Sequence, residues 1–192
     1  MNAAGLWPFR PKPHQDELLS SWITRLALGH GLKLPAFLSL IGTDIHIPTL
    51  DWRADEPLLR VLAERTAQSV GDLRRLRLNF VIQPEELLYR NAFGPAVQYC
   101  PACLAEAAYF RRDWRLCFVR FCKLHTAVLW DCCRECGVSV RLEELDPAFG
   151  KICVCRNCLH DLASDTPVHI EGEAATRVAE LHEQLALLIG MA

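Results

Sequence analysis

No stretch of this 192-residue chain is apolar for long enough to cross a bilayer. Its first residues, MNAAGLWPFRPKPHQ, have no apolar h-region and no small-residue cleavage site, so neither a membrane span nor a secretory leader is expected. Charge of one sign is also lacking. Lys and Arg number 21 against 23 Asp and Glu, and a formal net charge of −2 gives no general attraction to nucleic acid. The chain has no low-complexity segment, no paired-carboxylate motif and no activated-nucleophile motif, which leaves little for an enzyme to work with. His169-Ile-Glu171 matches the H-x-E of zinc deaminases, but it follows every cysteine pair and no pair is preceded by proline. That order argues against deaminase chemistry. What remains, 51% hydrophobic and 23% charged residues, is ordinary for a folded domain.

Cysteine is what the chain has in abundance. Seven of its ten cysteines and one histidine fall into four pairs between residues 100 and 158, each with a two-residue gap: Cys100/Cys103, Cys122/His125, Cys133/Cys136 and Cys155/Cys158. A gap of two lets a tight turn aim both ligand atoms at one point, and two such pairs make a four-coordinate tetrahedral site. Taken in sequence order, Cys100, Cys103, Cys122 and His125 form one zinc site, and Cys133, Cys136, Cys155 and Cys158 form a second. Both sites fill with protein ligands, so structural Zn2+ is expected and not a catalytic ion with an open position. A disulfide framework belongs to an oxidising compartment, and a redox C-x-x-C needs a βαβ unit that is absent here. Cys117 is expected to be a small buried apolar residue. Cys132 and Cys153 are alternative ligands to Cys133 and Cys155 if the register slips.

The rest of the chain reads as helices. Asp16 is an expected N-cap for a helix ending near Gly29 or Gly31, with Leu18, Leu19, Trp22, Ile23, Leu26 and Ala27 on one buried face and Arg25 off it. Pro35 fits the first turn of a second helix that carries Phe37, Leu38, Leu40 and Ile41 and stops at Gly42. Residues 43–54 read as a loop. Two further helices, 56–68 and 70–80, partly fit a helix-turn-helix, although Ala67 stands where that template prefers glycine. Arg74, Arg75 and Arg77, and Arg111, Arg112 and Arg115 near Trp114, are candidate phosphate contacts. A short helical piece starts at Pro84, and 93–95 is a junction. Tyr109, Phe110 and Trp114 are expected to pack beside the metal, and residues 116–121 are β-prone. A last helix, 173–189, lines up Val178, Leu181, Leu185 and Leu188, and is expected to fold back on the zinc module with an acidic face outward. Residues 161–192 carry one basic residue against six acidic ones.

The fold class expected is mainly α with small zinc-bound β/loop modules: a helix-turn-helix-like part over residues 1–95, a double zinc-binding module over 96–165, and an amphipathic helix over 166–192. Two segments also resemble the TniQ proteins of transposons. One is Pro11-Lys-Pro-His-Gln-Asp-Glu-Leu-Leu-Ser-Ser-Trp-Ile-Thr-Arg-Leu-Ala27. The other is the ordered series Cys100-Pro-Ala-Cys-Leu104, Arg111-Arg-Asp-Trp114, Cys122-Lys-Leu-His125 and Cys133-Arg-Glu-Cys-Gly137. His30-Gly31 stands where such proteins commonly have Asn-Gly. The resemblance implies a non-enzymatic, cytoplasmic target-selection adaptor acting at the bacterial nucleoid. It would link a target-recognition complex, either a CRISPR effector with guide RNA or a DNA-binding protein, to an AAA+ ATPase and the transposase. Direct DNA or RNA contact would be weak alone, and a homodimer is compatible with it. The rival expectation is a stand-alone zinc-containing helix-turn-helix transcription regulator.

Overall fold

A computed structural model describes residues 5–43, 45–78, 90–91, 94–116 and 118–188. Cys117 and the helical piece expected from Pro84 lie outside the described residues, whereas the helix expected over 70–80 already ends at Arg75, with Leu76 as its C-cap. Among those described there are seven α-helices and four two-residue strands.

The first helix, α1 (Leu19–Gly29), sits at the centre of the molecule. Its apolar residues Leu19, Trp22, Ile23, Leu26 and Ala27 are buried, but so are Ser20, Ser21 and Thr24, so the helix is enclosed on nearly every side and not on one face. Asp16 does not cap it. The N-cap is Leu18, whose side chain can accept nothing, and the free N–H groups of the first turn find distant acceptors instead. Leu19 N donates to the Leu76 carbonyl at 3.1 Å, and Ser20 N donates to Asp51 Oδ1 at 2.7 Å. Gly31, at φ 71°, closes the other end.

Next, α2 (Leu34–Leu40) starts with proline in its first turn and is followed by Gly42 at φ 75°; Phe37 and Leu38 point inward, but Leu40 is 75% exposed. The stretch expected to be a loop holds a 3-10 turn at Ile47–Thr49 and a one-turn helix, α3 (Leu50–Arg53), which buries Leu50 and Asp51. A helix this short leaves no periodic pattern to read. Then come α4 (Glu56–Thr66), capped by Asp55, and α5 (Val70–Arg75), capped by Ser69. Leu58, Leu59, Leu62, Ala63 and Leu73 close the helical core against α1 and α2. Between α4 and α5, Ala67 sits at φ 56°, ψ 32°, the left-handed region that favours glycine.

After β1 (Arg90–Asn91) and β2 (Gly94–Pro95), regular structure becomes sparse. The carboxyl half has α6 (Pro101–Glu106), a hairpin of β3 (Phe121–Cys122) with β4 (Ala127–Val128), several 3-10 turns, and α7 (Glu173–Leu188). Its core joins Tyr99, Phe110, Trp114, Leu116 and Leu129 to the cysteines, so Phe110 and Trp114 do pack among the ligand residues, whereas Tyr109 lies against His14 and Asp16 instead. Gln98 is buried, and its Nε2 donates to the carbonyls of Trp114, Leu116 and Val119, which gathers that irregular segment.

The two halves are stitched together along a seam before and at the start of α1, and Lys33 before α2 also pairs with Asp146 at 3.1 Å. Leu18 N donates to Phe110 O, Arg112 N to Asp16 O, and Phe110 N to Ser21 Oγ at 3.0 Å. His14 stacks on Tyr109 with ring centroids 4.0 Å apart, and the Tyr109 hydroxyl donates to Asp16. Beside the seam, Arg115 reaches the buried Asp51 carboxylate at 3.6 Å and also the Ala96 and Pro48 carbonyls. By contrast, no described side chain of α7 is buried, and Leu181 is 50% exposed. The expected burial of that stripe is therefore not seen at Val178 or Leu181; the side chains of Leu185 and Leu188 lie outside the described residues.

Three substitutions test these contacts. Replacing Arg115 by alanine leaves Asp51 buried without its cation, so Arg115→Ala should cost about 3–5 kcal/mol in urea unfolding of the metal-loaded protein. Arg75→Ala, which loses only an exposed pair with Asp72, should cost under ~1 kcal/mol. Ala67→Gly relieves a left-handed backbone worth about 1–2 kcal/mol against a glycine entropy cost of about 0.5–1 kcal/mol. It should raise the urea midpoint, and a fall would show that the Ala67 side chain is needed.

Candidate metal centres

Each ligand pair is delivered by a local device. Cys100 is the N-cap of α6 and Cys103 lies one turn on, with Pro101 fixing the first helical residue. The other three pairs sit on tight knuckles, and each is followed at once by a left-handed residue: Thr126 (φ 48°), Gly137 (φ 71°) and Leu159 (φ 63°). In the last two, the left-handed residue's N–H returns to the first cysteine's carbonyl, Gly137 N to Cys133 O at 2.9 Å and Leu159 N to Cys155 O at 3.0 Å. Only the middle knuckle has glycine at this position, which is why the turn is plain in C-x-x-C-G and hidden in the other two.

The devices bring the residues together in two groups, Cys100, Cys103, Cys122 with His125, and Cys133, Cys136, Cys155 with Cys158; within each group all ligand atoms lie within 4.8 Å of one another. Cys132 and Cys153 stay outside both groups. Cys132 pairs through its backbone with Ser139, and Cys153 is turned into the core with its carbonyl held by Leu162 N.

The spacings fit a tetrahedral ion. With Zn–S of about 2.3 Å and Zn–N of about 2.0–2.1 Å, tetrahedral geometry puts sulfurs about 3.8 Å apart and sulfur about 3.5 Å from nitrogen. Cys103 and Cys122 sulfurs are 3.5 Å apart, and His125 Nδ1 lies 3.2, 3.6 and 3.7 Å from the sulfurs of Cys103, Cys122 and Cys100. In the second group Cys133–Cys158 and Cys136–Cys155 are 3.6 and 3.5 Å apart. These are far beyond a disulfide bond of about 2.05 Å, and all the described cysteines are free. Both groups could hold a metal ion, and their donor sets are consistent with zinc.

Electrostatics point the same way. Burial pushes the Cys133 thiol up to about 12, whereas Cys136, held by a hydrogen bond from the Val138 backbone, falls to about 6. Thiols so close do not all ionise unless a cation joins them.

The candidate phosphate contacts divide into inward and outward sets. Arg115 is buried, and the Arg111 side chain is only 12% exposed, paired with Asp16 and stacked over Tyr109. Arg112 donates to the Arg75 carbonyl and Arg77 to the Ala54 carbonyl, each at 2.6 Å. Arg74 makes a two-pronged pair with Glu56 at 2.7 and 2.6 Å but remains half exposed, as does Arg75. Two polar positions that the structure brings into play were not singled out from the sequence. Asp51 was hidden in a stretch of mixed polarity. Glu106, whose Oε1 lies 3.0 Å from His125 Nε2, could have been found from its spacing, three residues after Cys103 on the same helix.

The class is thus a mostly helical protein whose carboxyl half carries two ligand groups that could bind zinc, one of three cysteines with a histidine and one of four cysteines. The TniQ family profile matches residues 8–129, and the chain belongs to the TniQ family. No curated protein matches it. The matched residues take in the whole first group and stop before Cys133.

The metal count is a direct check. Purified protein should carry two metal ions per chain by elemental analysis; Cys122→Ser should remove one and Cys155→Ser the other, while Cys132→Ser removes neither. Two metals retained in Cys122→Ser would mean the first group is not a site.

Proposed function

We propose that this protein is a non-enzymatic target-selection adaptor for transposition, with a structural zinc in each ligand group. The observation that carries the reading is the TniQ match over residues 8–129, which spans the seam between the helical half and the first metal group. Four protein ligands in each group leave no coordination position for a reacting water, which favours a structural role. The adaptor contacts a target-recognition complex on one surface and the AAA+ ATPase of the transposon on another. The target complex is an RNA-guided CRISPR effector or a DNA-binding protein. The work is cytoplasmic, and none of the described helices is long and apolar enough to cross a membrane.

DNA contact falls to the outward arginines Arg74 and Arg75 at the end of α5. With a near-neutral chain, few counterions are released, so duplex DNA should bind the lone protein only at roughly 10⁻⁴–10⁻⁶ M at physiological salt. Reversing Arg74 and Arg75 to glutamate should weaken even that. The α4–Ala67–α5 turn favours the transcription-regulator reading, and nanomolar, sequence-specific binding by the protein alone would establish it over the adaptor.

The partner test uses tagged protein from cells carrying its transposon. Full-length protein should recover the ATPase and the targeting complex, and a chain lacking residues 171–192 should recover less, because α7 presents Glu180 and Glu183 outward with Leu181 exposed. An acidic face suits a basic protein surface better than phosphate. Recovery of neither partner by the full chain would overturn the adaptor reading; equal recovery by both forms would remove α7 from it.

A further inference from the structure

We propose that Glu106 is a positioning residue of the first metal centre: it fixes the His125 imidazole so that Nδ1 faces the metal. The inference rests on the reading that this group holds zinc. Three observations carry it. All three sulfurs of the group lie 3.2 to 3.7 Å from Nδ1, so the ring binds through Nδ1. The other nitrogen, Nε2, lies 3.0 Å from Glu106 Oε1. And Cys100, Cys103 and Glu106 recur at intervals of three along α6 and its cap, so one short helix supplies two thiolates and the carboxylate on one side.

A neutral imidazole has one N–H, and it can sit on either nitrogen. A carboxylate only accepts, so Glu106 holds the proton on Nε2 and leaves the Nδ1 lone pair for the ion. The same contact makes the ring a stronger donor, and such outer partners are typically worth 10–100-fold in metal affinity. The knuckle is secured from its other side as well. His169 Nδ1 donates to the His125 carbonyl at 2.9 Å, and Ile170 N to the Thr126 carbonyl at 2.8 Å. With the backbone held there, ring rotation is the freedom left for Glu106 to remove. An ordinary surface ion pair would look similar in distance, since the Glu106 side chain is 62% exposed. It would contribute little and would not select a tautomer.

The test compares full-length wild type, Glu106→Gln and Glu106→Ala in competition with a chromophoric zinc chelator. In Glu106→Ala one of the two zincs should be lost at 10–100-fold lower chelator concentration, with Glu106→Gln between, while the other zinc is released as in wild type. Thermal unfolding in excess chelator should be the same for all three, because the role exists only with metal bound. In zinc-loaded wild type, long-range 1H–15N spectra should show His125 protonated on Nε2 and metallated on Nδ1. Unchanged release of both zincs from Glu106→Ala, or metallation through Nε2, would overturn the proposal. Wild-type protein that holds no zinc sensitive to His125→Ala would instead overturn the zinc reading beneath it.

Discussion

The carboxyl half depends on one constraint: in each group four ligand atoms, three or four of them sulfurs, share a space less than 4.8 Å across. Thiolates so close repel, and burial makes each charge dearer still. A bound dication turns the repulsion into cohesion. The strands of this half are two residues long and its turns are single 3-10 loops, elements that do not persist in water by themselves. Cys100, Cys103, Cys122, Cys133 and Cys155 are at the same time members of the apolar core with Tyr99, Phe110 and Trp114. The ligands are therefore packing residues, and loss of metal would leave unpaired polar sulfurs in the middle of that core.

The constraint reaches the helical half through α1. A helix needs acceptors for its first N–H groups, and here they come from elsewhere in the chain: the Leu76 carbonyl and the Asp51 carboxylate. Burial pushes the Asp51 carboxyl up, against the pull of Arg115 and of the two hydrogen bonds from Ser20. Arg115 comes from the 3-10 turn that also places Trp114 in the carboxyl core. So one buried carboxylate is shared between the start of α1 and the half that carries the two ligand groups. Leu18 belongs to the carboxyl core while its neighbour Leu19 belongs to the helical one. The two cores adjoin again where Leu78 joins the carboxyl core and Leu76 the helical one.

What was legible in the sequence was whatever had a fixed interval. The gap of two picked out the eight residues that the fold gathers into two groups, and the three-to-four spacing found α1, α2 and α4. Glycine marked Gly31 and Gly42 as helix ends. What had no interval was missed or misplaced. Asp16 has the composition of an N-cap, yet it is spent on Tyr109 and Arg111, since a cap is defined by backbone geometry that composition does not carry. The six arginines read as one kind of residue in a string. In space Arg115 is a buried counter-ion, Arg111 is sandwiched between Asp16 and an aromatic ring, and only Arg74 and Arg75 stay half in solvent. Left-handed Ala67, Thr126 and Leu159 carry no glycine to announce the turn.

The family match stops at residue 129, so the second group and α7 lie beyond it, yet the second group is not loosely appended. The Tyr99 and Trp130 backbones exchange hydrogen bonds at 2.7 and 2.9 Å. The Tyr99 hydroxyl donates to Asp165 at 2.8 Å, and Asp165 in turn holds His160 Nε2 at 2.9 Å. Tyr99 immediately precedes Cys100, the first ligand of the first group, and His160 lies two residues past Cys158, the last ligand of the second. A single tyrosine thus ties the outer edge of one metal centre to the start of the other. The second centre thereby docks onto the matched region through the same residues that shape the first, and α7 emerges from that joint with Leu181 half in solvent. The residues beyond the match therefore do more than add surface: Val140, Leu142, Leu145, Ile152 and Leu162 are buried in the same core as Tyr99, Phe110 and Trp114.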